Sequence, residues 1–404
     1  MLMQRLLGPG TYERLPSDPD RVPPPEKRSQ WRLWATIVVV FVLLILWLVV
    51  KHPPPPYSPL DNYQNMHVQV FSPRFSLFSL LTNGWRRNPL PVTVDPGTQK
   101  VPLNRRAIVS ALDSDGYAIA VAVAGYSARD ANVTARLLLP YLENKVSERA
   151  LCIARAVGWE PYPVPLIPPP RGGAKYVFPR FKEQYTKLHI WALDKKDVDS
   201  AVYIDADTLV LRNFDELFES PFNFAATPDV YCDRRGFSIM FNAGVLAFRP
   251  SSAVYEDMRR KMEIAQYPPG EAEQGFLNLY FAATAMHLPY IYNANLAIKD
   301  RSLTLWERLV PEMRIVHYTL VKPFLPDPDH SHEILTGDQI TDAVVQAARS
   351  REGLFSGGGR MVGSGVSQDD ERIRTCHRAM SLTSPRNCHC HDGACFFSDG
   401  KKMM

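Results

Sequence analysis

Ala201-Val202-Tyr203-Ile204-Asp205-Ala206-Asp207 reads as a buried strand that ends in acid. Its apolar part is β-branched and aromatic, as buried strands are. Two aspartates one residue apart then close it. In a parallel α/β sheet, ligands bind outside the carboxyl ends of the strands. Two carboxylates placed there form a hard-oxygen site suited to Mg²⁺ or Mn²⁺, and to a diphosphate bridging that metal. The spacing by itself says little: Asp18/Asp20, Asp113/Asp115, Asp197/Asp199 and Asp327/Asp329 share it. Those pairs sit in polar or proline-rich surroundings. The competing reading of Asp205 and Asp207 is that they cap the next turn.

Working outward, Tyr117–Ala124 reads as a strand ending at Gly125, and Asp130–Asn144 as a helix. Phe181–Leu193 has helical spacing. Phe222–Ala226 and Phe241–Phe248 read as strands, Ala253–Ile264 and Glu273–Phe281 as helices, and Pro289–Tyr292 and Arg314–Tyr318 as strands. Strands alternating with helices predict an α/β fold, Rossmann-like, with a mostly parallel sheet and helices on both faces.

The 404 residues allow one large domain or two small ones with ample core. A net charge of +4, with scattered basic residues and no basic–aromatic platform, argues against nucleic acid as a partner. Residues 1–32 read as a polar, proline-rich cytosolic tail. Residues 33–50, Leu33–Val50, form a charge-free apolar run near the ~20 residues a bilayer span needs. Arg21, Lys27, Arg28 and Arg32 precede it and only Lys51 follows closely, which puts the N-terminus in the cytosol. The expectation is a transmembrane signal-anchor rather than a buried helix or a cleaved signal peptide. Residues 51–105 read as a stem, 106–325 as the catalytic domain, and 326–404 as a partly disordered extension. Cys376, Cys388, Cys390 and Cys395 lie among His377, His389 and His391. Their spacing fits no standard zinc pattern, so disulfides or disorder are preferred to zinc.

Several pieces together resemble glycosyltransferase family eight, the glycogenin-like enzymes. They are Phe181-Lys182-Glu183-Gln184-Tyr185-Thr186-Lys187-Leu188, Tyr203–Val210, Phe241-Asn242-Ala243-Gly244-Val245, Glu273-Gln274-Gly275-Phe276-Leu277-Asn278 and Val316-His317-Tyr318. The set spans about half the chain, Tyr117–Phe324. The resemblance implies a GT-A fold, a UDP-sugar donor, Mn²⁺ and retention at the anomeric carbon. It suggests a fungal-type, single-pass type II member in the Golgi membrane, with its catalytic domain lumenal and a glycan or glycoconjugate acceptor.

By that resemblance Asp205, Asp207 and His317 hold the metal, and an imidazole suits Mn²⁺ better than Mg²⁺. Lys187 and Lys322 contact the donor, with the loop around Lys322 one residue shorter than in glycogenin. Asn242, Ala243 and Gly244 line the sugar floor. Glu273 and Gln274 lie beneath the reacting sugar, where Glu273 either stabilises an oxocarbenium-like centre or acts as nucleophile. Tyr126 is the candidate for stacking on the base. Glycogenin glucosylates its own tyrosine, but Ala294–Val316 contains none, so self-glucosylation there is excluded and a separate acceptor is expected. Asn132-Val133-Thr134 is a glycosylation sequon. An inactive membrane-tethered scaffold, or an interaction protein working through its Cys/His tail, are the alternatives.

Overall fold

The computed structural model describes residues 30–51, 66, 69–70, 87–88, 100–170, 177–230, 239–322, 324–325, 333–353, 388–391 and 394–397. The readings of residues 1–29 as a tail, of most of 52–99 as a stem, and of most of 354–404 as a partly disordered extension lie outside them. The chain forms two compact units, Met1–Ser58 and Pro59–Met404.

The first unit contains helix α1, Gln30–Lys51. Its described side chains from Leu33 to Trp47 are exposed. Among the described residues no helix is long and apolar enough to cross a membrane. The run Leu33–Val50, expected as a membrane span, lies within this helix.

In the second unit the strands that build the two sheets around the site are β1 (Arg106–Val109), β2 (Arg136–Leu142), β3 (Glu160–Val164), β4 (Ser200–Ile204), β5 (Thr208–Val210), β6 (Phe224–Pro228), β7 (Phe241–Phe248), β8 (Met286–His287), β9 (Ala294–Asn295) and β10 (Ile315–His317). The main helices are α2 (Ala118–Asp130), α3 (Glu148–Ala156), α4 (Ser252–Lys261) and α5 (Ala272–Tyr280). The central sheet has the order β8-β6-β7-β4-β1-β2-β3. Only β7 runs against its neighbours; the other pairings are parallel. A small sheet, β9-β10-β5, lies apart from it.

Side-chain alternation divides the core between the two faces. Val202 and Ile204 join one cluster with Ile119, Ala122 and Leu151 from α2 and α3. Ala201 and Tyr203 join the other, with Trp191, Met258 and Phe276. This is the period-2 rule acting on a strand buried on both faces. Met66 belongs to the second cluster, and Lys261 Nζ donates to its carbonyl. Lys261 pairs with Asp257 at 2.8 Å, both almost fully buried, and Tyr280 donates to the same carboxylate. A buried pair is tolerable when further donors reach it: Tyr280 shares Oδ2 with Lys261, and Arg260 reaches Oδ1 at 3.5 Å.

Four stretches differ from the sequence reading. Tyr117–Ala124 is not a strand: Ala118–Asp130 is helical and buried nearly all round. Alanine favours helix, and a run apolar on every face carries no periodicity to separate the two states. Gly125 is mid-helix, where a Cβ would strike the indole of Trp159. Asp130–Asn144 is likewise not a helix but a turn followed by β2, whose leucines face both core clusters. Phe181–Leu193 forms 3₁₀ turns (Pro179–Phe181 and Gln184–Lys196), as does Tyr290–Tyr292, which was expected as strand.

Candidate active site

The site lies at the carboxyl edge of the sheet. Asp205 follows β4, and its N–H donates to the Gly244 carbonyl at 2.8 Å. Because β7 runs antiparallel, its first residues, Asn242 to Gly244, stand beside the end of β4. His317 ends β10, which pairs with β5 at Thr208. Strands from both sheets thus deliver side chains to one place.

Asp205, Asp207 and His317 do meet. One ligand atom from each lies within 4.8 Å of the others. His317 Nε2 is 3.2 Å from Asp207 Oδ1 and 3.7 Å from Asp205 Oδ2. Donors bound cis to a cation at about 2.1 Å lie about 3 Å apart, so this set fits a divalent ion.

The imidazole is oriented through the backbone. Gly244 N–H donates to Asn242 Oδ1, and Asn293 Nδ2 donates to the same oxygen at 3.0 Å. Asn293 therefore turns its own Oδ1 toward His317 Nδ1, also at 3.0 Å. That carbonyl can only accept, so Nδ1 is a donor, and Nε2, the nitrogen facing Asp205 and Asp207, is the one placed to bind a metal. No periodicity marks Asn293, because its task is to aim another ligand.

Two lysines flank the cluster. Lys322 pairs with Asp207 Oδ2. Burial pushes the Asp207 carboxyl up, but Lys322 and His317 outweigh it and hold it well below the usual carboxylate range. Lys187 donates to Glu273 Oε1 at 2.9 Å and to the Ala243 carbonyl at 3.2 Å, and lies 3.2 Å from Asp205 Oδ1. Burial opposes its charge, yet Asp205 and Glu273 keep it protonated above the ordinary lysine value. Tyr203 donates to Asp205 Oδ1 at 2.7 Å.

The floor continues from there. Gln274 Oε1 accepts from Ala243 N–H at 2.9 Å, and its Nε2 donates to Asp229 Oδ2 at 2.9 Å. Asp229 follows β6 as Asp205 follows β4. The sequence reading passed over it, although an acid closing a buried strand was the same signal. Ala272 separates Glu271 from Glu273 at φ 49°, a strained conformation of the kind found at functional turns.

Tyr126 sits on α2, packed against the first core cluster, rather than on a loop at a strand end. An aromatic near the carboxylates is Tyr117, whose ring lies 5.5 Å from Phe324 and whose hydroxyl feels the charges of Lys322, Asp207 and Asp205. Burial raises its hydroxyl to about 12, with Lys322 opposing and Asp207 adding to the rise. The mistaken strand moved the first-strand loop from residues 110–117 to residues 125–130.

That loop also holds Asp113, half-buried and pushed up to about 6 by burial and by Glu183. Its folded value exceeds the unfolded one, so the carboxyl favours folding below about pH 4, and that contribution is gone above about pH 6. Asp113→Asn is therefore expected to stabilise the protein at pH 7.5. The gain should be about 1–2 kcal/mol, less than the full ~3 because water screens the group, and should vanish near pH 4. Thermal melts at the two pH values measure it.

Residues 179–325 match glycosyl transferase family 8. The family 8 match takes in every residue of the cluster and leaves out β1–β3. Similar curated proteins are inositol phosphorylceramide glucuronosyltransferase 1 of Arabidopsis thaliana (33% identical, covering 43% of this chain and 30% of that protein) and galactinol synthase 1 of Solanum lycopersicum (33%, covering 38% and 52%). Glycogenin-1 of Homo sapiens is 29% identical over 54% of this chain and 62% of its own. The chain spans about a third to two thirds of these relatives. Among solved structures, the galactosyltransferase LgtC in complex with donor and acceptor sugar analogs overlaps with a TM-score of 0.39 at 19% identity, covering 59% of this chain and 95% of that one.

Proposed function

We propose that this chain is a metal-dependent, retaining glycosyltransferase that moves a sugar from a UDP-sugar to a glycan or glycoconjugate acceptor. The observation that carries the reading is the convergence of Asp205, Asp207 and His317, with Nε2 of the imidazole turned toward the two carboxylates. These three would hold the ion, with Mn²⁺ favoured by the nitrogen donor. A bound divalent ion supplies Lewis-acid neutralisation of the diphosphate leaving group.

The chain's own groups do the rest. Lys322, beside Asp207, offers a cation to the diphosphate. Tyr117 borders the nucleotide end of the cluster. Gln274, held by Ala243 N–H and Asp229, and Asn242, held by Gly244 and Asn293, are fixed polar groups for sugar hydroxyls. Glu273, buried against Lys187, places negative charge where a positive anomeric centre develops. The test is UDP release by the full-length chain from a panel of UDP-sugars with Mn²⁺. Turnover that stops in EDTA supports the proposal; equal turnover in EDTA contradicts it. No Mn²⁺-dependent UDP binding would favour the inactive scaffold.

The proposal extends to a type II Golgi protein anchored through Leu33–Val50. Its supports are the charge asymmetry around that run and the disulfide at Cys152 on α3, since disulfides persist in oxidising compartments. The side chains of Cys376–Cys395 lie outside the described residues, though the backbone hairpin Cys388–His391/Ala394–Phe397 lies against α3. A lumenal domain makes a further result expected. Asn132 is exposed in a left-handed turn after α2 and begins a sequon. Protein from a secretory host should carry a glycan there, read as a mobility shift on glycosidase treatment that disappears in Asn132→Gln.

A further inference from the structure

Resting on that reading of the site, we infer that the donor sugar is uncharged: Glu271 and Glu273 present buried, unsatisfied carboxylate oxygens that sugar hydroxyls complete and a uronate repels. The two residues flank the strained Ala272 and start α5 from the same turn.

Glu273 is 3% exposed. Its Oε1 accepts from Lys187, while its Oε2 is buried and has no hydrogen-bond partner. Because the Lys187 ammonium touches both Glu273 and Asp205, the free oxygen stands one ammonium away from the metal cluster. Glu271 Oε2 is likewise buried without a partner, and Glu271 makes no ion pair among the described residues. It packs over Gly275, where a Cβ would lie 2.9 Å from the Glu271 Cβ. Burial, and after it the charge of Asp229, raises its carboxyl above the ordinary value. Asp229 in turn is joined to Gln274, on the same floor.

A buried acceptor without a donor is costly, and a site so built is completed by a ligand that brings the donor. Neutral sugars bring O–H groups. A uronate carboxylate brings only acceptors and a negative charge. The single positive charge of Lys187 is already shared between Asp205 and Glu273, so a further carboxylate beside this floor is not neutralised by it. The similar Arabidopsis protein is named a glucuronosyltransferase, so this floor is a point on which the two would differ.

The experiment is calorimetric binding of UDP, UDP-glucose, UDP-galactose, UDP-N-acetylglucosamine and UDP-glucuronate to the full-length chain in Mn²⁺. At least one neutral donor should bind tenfold or more tighter than UDP-glucuronate, a difference of about 1.4 kcal/mol. In Glu271→Gln, which keeps the shape and removes the charge, that ratio should fall about threefold or more. UDP-glucuronate binding as tightly as every neutral donor overturns the inference while leaving the nucleotide-sugar reading in place. Failure of UDP itself to bind overturns both. The wild-type series decides the charge question even if the variant does not fold.

Discussion

Asp207→Ala is expected to lower Mn²⁺-dependent UDP release by about a thousandfold or more, a loss of several kcal/mol of leaving-group stabilisation. Asp207 is 7% exposed and has both oxygens engaged, Oδ1 toward His317 and Oδ2 on Lys322. Removing it takes away one of the three proposed metal ligands and leaves Lys322 and His317 without the carboxylate between them. The variant should also lose stability. The folded-state value of Asp207 is depressed, so its contribution is present above the ordinary carboxylate range and is lost as pH falls below it. Circular dichroism and melting at pH 7.5 separate the two effects. A folded variant with near wild-type turnover would count against the metal assignment.

Gly244→Ala is the second large effect, from a residue that carries no chemistry. A Cβ at this position would run into Cε1 of the His317 ring, and would lie 2.6 Å from its Nδ1 and 2.9 Å from Asn242 Oδ1. The ring cannot swing away without breaking its bond to Asn293, which itself rests on Asn242. One methyl group therefore disturbs the whole line that aims Nε2. Changing groups that orient metal ligands typically costs 10–100-fold. Displacing the ligand itself should reach about a hundredfold or more in turnover, with a raised Mn²⁺ requirement. Titrating activity against Mn²⁺ measures both. An unchanged Mn²⁺ dependence in a folded Gly244→Ala protein would show that the ring is free to move.

The half of the chain around β4 and β7 was legible because its strands announce themselves. Val202–Ile204 and Val245–Phe248 are continuous apolar runs with abrupt polar ends, and those ends are where the site lies. Asp205, Asp207 and His317 could be brought together from sequence only through the family resemblance, since 110 residues separate Asp207 from His317. The N-terminal part was misread for a physical reason. Ala118–Ala124 is buried on every side, so its composition holds no stripe, and the leucines of Leu137–Leu142 suit a helix, with Pro140 the one sign against it. That error placed the first-strand loop, and with it the base-stacking candidate Tyr126, at residues 125–130, which are helix and turn. Asp229 was missed because only the paired aspartates were sought, and Asn293 because its function is expressed through His317.

The central claim is that one cation is held by Asp205, Asp207 and His317 together. Mn²⁺ binding to the full-length chain in the presence of UDP, followed by the loss of the free-ion electron paramagnetic resonance signal, tests it most directly. One Mn²⁺ should bind per chain, and binding should weaken at least about tenfold in each of Asp205→Ala and His317→Ala. Undiminished one-to-one binding in both folded variants would place the metal elsewhere and contradict the account.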